Sequence, residues 1–208
     1  MNAGLGSLAT LKAQLLADAL RATTRYDAQL LSIGRGVAAA MDGFCDRKLA
    51  RGENVTLVCT ADRVQVYAER YPLESVASVE LKEDTTSGWV TQTGLIQNLN
   101  EDSGLIYWGT AVAEAYCQLR FTYTGGYWFD ETEEGNDTLP AGATALPGDL
   151  QLAWVLQCRA VWSAIDKLGK DIVLTGSGTT KTVDPLTALE LLPQVVNILN
   201  RYCRYQIV

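Results

Sequence analysis

Residues 116–128 read YCQLRFTYTGGYW, and residues 146–162 read LPGDLQLAWVLQCRAVW. The first stretch, rich in aromatic and β-branched residues, is the clearest strand pattern in the chain and stops at Gly125-Gly126. The second switches to a helical period. Leu152, Val155, Cys158, Trp162 and Ile165 fall broadly on one face, with Trp154 and Val161 beside it. Asp149 sits near the start, where a negative charge suits the helix dipole. The two patterns place a strand and a long helix, from about residue 147 to 168, on either side of an irregular linker.

Upstream of this pair the period is two. In ENVTLVCTADRVQVYAE (53–69), Val55, Leu57 and Cys59 alternate with polar neighbours, as do Val64, Val66 and Ala68. This predicts a hairpin turning at Ala61-Asp62. RYPLESVASVELKED leads through Pro72 into a strand carrying Val76, Val79 and Leu81. TGLIQNLNEDSGLIYWG predicts two strands joined by a turn at Asp102-Ser103-Gly104.

Further upstream the pattern is helical. Ser7 is a cap for a helix in which Leu8, Leu11, Leu15 and Leu16 recur at helical spacing. A second helix is expected from about Thr24 to Phe44, with Leu30, Ile33, Val37, Met41 and Phe44 as its apolar line. Gly34 and Gly36 suggest either close packing or a local bend, or else simply a weak helix. Downstream, Asp184-Pro185 reads as a cap followed by Pro in a first turn, and a short helix starts at Pro193. Strands grouped between helices predict an α+β fold: a helical body with an inserted antiparallel β region.

Composition narrows the function. The chain has 208 residues, 48% of them hydrophobic, which suffices for a sizeable core. Its formal net charge is −7, whereas tight general binding to nucleic acid needs a basic surplus. No histidine is present, which removes the commonest general base and metal ligand. The five cysteines (Cys45, Cys59, Cys117, Cys158 and Cys203) form no CxxC pair, and buried reduced thiols are the expectation. The N-terminus lacks the pattern of a signal peptide, and no apolar run reaches the length of a membrane span. A soluble protein without a recognisable export route is expected.

Motifs for chemistry fall short. GSGTTKT (176–182) lacks the glycine that precedes lysine in a phosphate-binding loop, because Thr180 stands before Lys181. Asp130, Glu131, Glu133, Glu134 and Asp137 lie in a loop without the calcium-binding EF-hand pattern, and a solvated acidic loop is expected. No catalytic, metal-binding or cofactor-binding residue is assigned. Two other features stand out. Tyr127, Trp128 and Phe129 are consecutive aromatics, and neighbours on a strand face opposite sides. Either one of them is exposed or covered by a partner, or a turn buries all three. The tail, with Arg201, Tyr202, Arg204, Tyr205, Ile207 and Val208, is aromatic, basic and apolar. Both features are candidate interface residues.

Four stretches, taken in order, resemble the head–tail connector (adaptor, or head-completion) family of long-tailed bacteriophages. They are LKAQLLADAL with a following helix that closes on MDGFCDRKL; YPLESVASVEL; LRFTYTGGYW followed by LPGDLQLAWVLQCRAVW; and LLPQVVNILNRYCRY. The chain departs from the family in a longer 127–145 insertion and a long strand region at 82–115. The resemblance implies a structural virion protein and no catalysis. It implies a homo-oligomeric ring, twelvefold, between the portal protein and a further neck or tail protein. That ring completes the head and receives the tail, with DNA passing through its lumen without specific binding. It implies no cofactor and no membrane, a place in the virion neck, and assembly in the host cytoplasm. On this reading residues 1–208 are one connector subunit. Residues 1–50 and 147–200 form the helical body, 51–128 the β-rich insertion, 129–146 the acidic loop bordering the DNA channel, and 201–208 a docking tail. The alternatives are a tail-terminator or tail-completion ring, and an enzyme or redox protein using Cys117 or Cys158.

Overall fold

In a computed structural model, which describes residues 2–84, 86–131, 138–167 and 190–203, the chain runs from helices through strands and back to helices. It is an α+β fold with two units. The helical unit draws on residues 1–45, 130–137 and 146–208, and the strand-rich unit on 46–129 and 138–145.

Helix α1 spans Leu8–Leu15, α2 Asp18–Arg21, α3 Asp27–Cys45, α4 Gly148–Lys167 and α5 Pro193–Leu199. The Ser7 hydroxyl oxygen accepts from the Thr10 N–H at 3.1 Å and so satisfies one of the orphan donors of α1. Such a cap contributes about 1 kcal/mol. Leu8, Leu11, Leu30, Met41, Leu150, Trp154, Cys158, Val195 and Leu199 are fully buried and form the interior of this unit. Ile33 and Val37 of the expected α3 line are buried as well, whereas Phe44 is 40% exposed.

The inner face of α4 differs from the expected one. Leu150, Ala153, Trp154, Gln157, Cys158 and Val161 are buried, and Leu152 is 53% exposed. The difference turns on Gln157. Its side-chain amide donates from Nε2 to the Glu190 carbonyl at 2.9 Å, and its Oε1 accepts from the Leu192 N–H at 2.9 Å. Both polar ends are satisfied, so a polar side chain sits in the interior at 2% exposure.

Gly34 resolves its two readings in favour of close approach. A Cβ there would collide with the Ala3 carbonyl oxygen and lie 2.9 Å from Leu11 Cδ1 and 3.1 Å from Trp154 Cζ2. What comes close is the N-terminal segment and an indole from α4. Gly36, by contrast, has nothing within 4 Å of its missing side chain.

In the strand-rich unit, β1 is Gly52–Thr60, β2 Gln65–Tyr67, β3 Leu73–Lys82, β4 Val90–Thr91, β5 Asn98–Asn100, β6 Leu105–Tyr107 and β7 Gln118–Gly125. Two short strands follow, β8 at Tyr127–Trp128 and β9 at Thr144–Ala145. A four-stranded sheet has the order β1-β7-β3-β4, and a three-stranded sheet the order β2-β6-β5. Every pairing within these two sheets is antiparallel. Leu119, Phe121 and Tyr123 of β7, with Val79 and Leu81 of β3, point into a core that also holds Trp108 and Ile106.

The expected hairpin at Ala61-Asp62 does not form. β1 pairs with β7, Leu57 facing Phe121 and Cys59 facing Leu119, while β2 pairs with β6. The chain does turn at Ala61-Asp62, where the Arg63 N–H reaches the Thr60 carbonyl at 3.5 Å, but the turn joins no strand pair: Ala61 is fully buried and its N–H bonds the Cys117 carbonyl at 3.0 Å. The hairpin expected around Asp102-Ser103-Gly104 does form, as β5–β6. The linker after β7 is not wholly irregular, since β8 and β9 pair in parallel. Gly126 makes the passage from β7 to β8 possible. Its φ is +97°, and a Cβ would lie 2.7 Å from the Ala50 carbonyl oxygen.

Candidate functional site

Among the described residues no group of three or more Cys, Asp or Glu is placed to hold a metal ion, and no helix is long and apolar enough to cross a membrane. Cys45, Cys117 and Cys158 are buried, whereas Cys59 and Cys203 are half-buried. Burial pushes the Cys158 thiol up to about 12 and the Cys59 thiol up to about 11, against an ordinary value of 9.0. Reactive cysteines are shifted the other way, by nearby cations or helix N-termini. The Cys117 thiol is buried and directed at the Glu83 carbonyl oxygen, 3.2 Å away. The sequence GSGTTKT lies outside the described residues, as does Asp184-Pro185.

The helical unit fixes the start of the C-terminal tail. The Tyr202 hydroxyl donates to Asp149 Oδ1 at 2.7 Å, and Arg201 Nη2 lies 2.8 Å from Asp149 Oδ2. Asp149 also accepts from the Leu150 N–H, so the first turn of α4 holds the carboxylate that receives the tail. Cys203 lies against the end of α3, with its Sγ 3.7 Å from that of Cys45. Arg204, Tyr205, Ile207 and Val208 lie outside the described residues. Of the acidic-loop residues, Asp130 is half-buried, and exposed Glu131 accepts from Asn2 Nδ2 at 2.6 Å. Glu133, Glu134 and Asp137 lie outside the described residues.

The aromatic triplet belongs to the strand-rich unit. Tyr127 and Phe129 are buried, and Trp128 between them is half-buried. Arg47, at 5% exposure, lays its guanidinium over the Tyr71 ring, 3.2 Å from the centroid, and 5.4 Å from the Tyr127 centroid. Burial raises the Tyr127 phenol above its ordinary value, and Arg47 opposes that shift. The stack gives a buried cation two π-faces. Backbone bonds lock the triplet's first residue: the Tyr127 N–H donates to Leu49, and its carbonyl accepts from the Arg51 N–H.

Two surfaces escaped sequence reasoning. The outward face of the four-stranded sheet carries rows set by the register: Thr56, Thr122 and Ser78; then Val58, Arg120 and Glu80; then Thr60, Gln118 and Lys82. Arg120 bonds Glu80 through Nε at 2.8 Å and Nη2 at 2.7 Å, and its guanidinium carbon stands 4.4 Å from the Trp89 centroid. Val58 beside it is 49% exposed. The alternation of polar and apolar residues along 118–124 carried the signal for this face. In the helical unit, Ser32, Gly36 and Ala40 of α3 with Val161 of α4 line an apolar groove of about 220 Å³. The small residues of α3 at four-residue spacing were its signal.

No protein-family model matches the chain, and no curated protein sequence matches it. Solved structures do share its fold. A chain from the neck of an empty gene transfer agent (GTA) particle, computed with C6 symmetry, superposes with a TM-score of 0.61 at 16% identity. The match covers 99% of this chain and 93% of that one. A chain from the virion of a native gene transfer agent particle gives 0.58 at 17% identity, covering 100% and 94%. A chain from the neck of a native particle, computed with C12 symmetry, gives 0.56 at 14% identity, covering 99% and 92%. At such identities the likeness is one of fold.

Proposed function

We propose that this chain is a structural, non-catalytic subunit of the neck of a phage-like particle. The observation that carries the reading is the end-to-end fold likeness to neck chains, which leaves almost no part of either chain unmatched. On this reading copies of the chain form a ring between the portal and the tail, and DNA passes through the lumen. Particles computed with C6 and C12 symmetry supply the candidate ring numbers, and a twelvefold ring is the one proposed. A cyclic ring joins two different patches of each subunit head to tail. Residues 1–50 and 147–200 supply the ring body, and 51–128 the β-rich insertion. Residues 201–208 dock on the portal or a neighbouring subunit, with the partner found by Arg204, Tyr205, Ile207 and Val208. Residues 129–146 border the channel, where acidic side chains repel phosphates and let DNA slide. The particle matures in the host cytoplasm and carries the protein in its neck.

The test is electron microscopy of particles produced with a stop codon early in this gene. Filled or leaking heads beside separate, complete tails are expected. Joined particles of normal form would overturn the reading, and malformed tails would assign the chain to tail completion instead.

A further inference from the structure

We infer that Cys45 and Cys203 form a dithiol modification site that takes a small-molecule disulfide, such as oxidised glutathione, and closes into an internal disulfide. Cys45 is the last residue of α3, and Cys203 follows α5. Their sulfurs are 3.7 Å apart although the residues are 158 positions apart in the chain. The Cys203 sulfur is 3.3 Å from the Leu199 carbonyl oxygen and 3.8 Å from that of Phe44, and the Cys45 sulfur is 3.8 Å from the Leu199 carbonyl oxygen. One backbone carbonyl oxygen thus lies within 3.8 Å of both sulfurs. A disulfide needs the sulfurs at about 2.05 Å, and these two start from contact distance.

The two thiols differ in access. Cys45 is fully buried, and Cys203 is half-buried. That asymmetry assigns the order of events. The Cys203 thiolate attacks one sulfur of the glutathione disulfide, forming a mixed disulfide and releasing one glutathione thiolate. Cys45 gives up its proton to the released thiolate or to water and attacks the Cys203 sulfur, releasing the second glutathione. Two electrons pass from the cysteine pair to the glutathione disulfide, which leaves as two thiols. Excess reduced glutathione reverses both steps. The product ties the residues that precede the apolar tail to the end of α3. The other cysteine of this unit, Cys158, lies in the interior with its thiol pushed up to about 12, so it is a poor competitor.

The experiment incubates the dilute, folded full-length chain with oxidised glutathione, blocks the remaining thiols and maps them by mass spectrometry. The expected result is the loss of two thiols per chain and a peptide pair linked through Cys45 and Cys203. In Cys203→Ala, Cys45 should stay a thiol. Any of three results would overturn the inference: a lasting glutathione adduct on Cys203 that Cys45 does not displace, both thiols intact, or Cys203 bonded to another cysteine or another chain.

Discussion

The indole N–H of Trp154 donates to the carbonyl oxygen of Gly34 at 2.9 Å, and the absence of a side chain on Gly34 leaves room for the ring that makes this bond. The relation ties α4 to α3 at a fully buried point, where an unpaired donor would be expensive.

Gly34→Ala should therefore lower stability by about 1–3 kcal/mol, because the new methyl meets the Ala3 carbonyl and neither backbone can retreat. Gly36→Ala, two positions along the same helix, has open space and should raise stability by about 0.5–1 kcal/mol. Urea denaturation of both variants checks the pair. Equal shifts would mean that Gly34 is not a contact point.

Gly126→Ala should also destabilise the chain, by about 1–3 kcal/mol, since it combines a positive φ with a clash against the Ala50 carbonyl. The damage should be local at first. Hydrogen exchange at the Tyr127 amide, which bonds Leu49, should speed up more than exchange at Phe121 in the middle of β7.

Gln157→Leu keeps the volume but strips two backbone groups, the Glu190 carbonyl and the Leu192 amide, of their partner. A loss of about 1–3 kcal/mol is expected. Faster exchange of the Leu192 amide would locate it, and an unchanged rate would show that water replaces the side chain freely.

The thiol of Cys158 gives stability a pH dependence of definite sign. Its folded value is raised, from 9.0 to about 12, by burial. Between those values the unfolded chain has lost the proton and the folded chain keeps it, so stability falls as pH rises. The contribution is fully present below about pH 9 and is lost progressively up to about 12. Comparing the pH dependence of urea midpoints for the parent and Cys158→Ala isolates this group from tyrosines and lysines. The variant should show the shallower decline.

Truncation after Cys203 should leave the Arg201 and Tyr202 bonds to Asp149 in place and preserve a folded chain. If residues 204–208 dock on a partner, such particles should fail to join heads to tails while the purified chain keeps its circular dichroism. Normal joining would remove the tail from the proposed interface.

What was legible in the sequence depended on whether a residue's chemistry matched its surroundings. β7 and the Ser7 cap were readable because alternation and capping are local. The local β5–β6 pair was readable too, but the partner of β1 was not, because the choice between a β1–β2 hairpin and a β1–β7 ladder is settled by residues about sixty positions away. The face of α4 misled because Gln157 is polar yet satisfied inside, while Leu152 is apolar yet outside. Of the candidate site, the aromatic triplet and the tail were visible as composition. Their in-chain partners, Arg47 and Asp149, were not, since a buried cation on two rings and a carboxylate at a helix start leave no spacing pattern. The outward rows around Arg120 arise only once three strands are in register.

The position of β7 in its sheet has a consequence for synthesis. It is the last of the four strands along the chain, and it lies between β1 and β3. Until residues 118–125 leave the ribosome, β1 has no ladder partner in that sheet and β3 has only the two-residue β4. Two strands of nine and ten residues wait with open edges, the condition under which nascent chains pair with one another instead of with themselves. The chain is thus most exposed to misassembly before its own middle strand exists, and its yield in a cell should depend on how quickly translation carries it past that point.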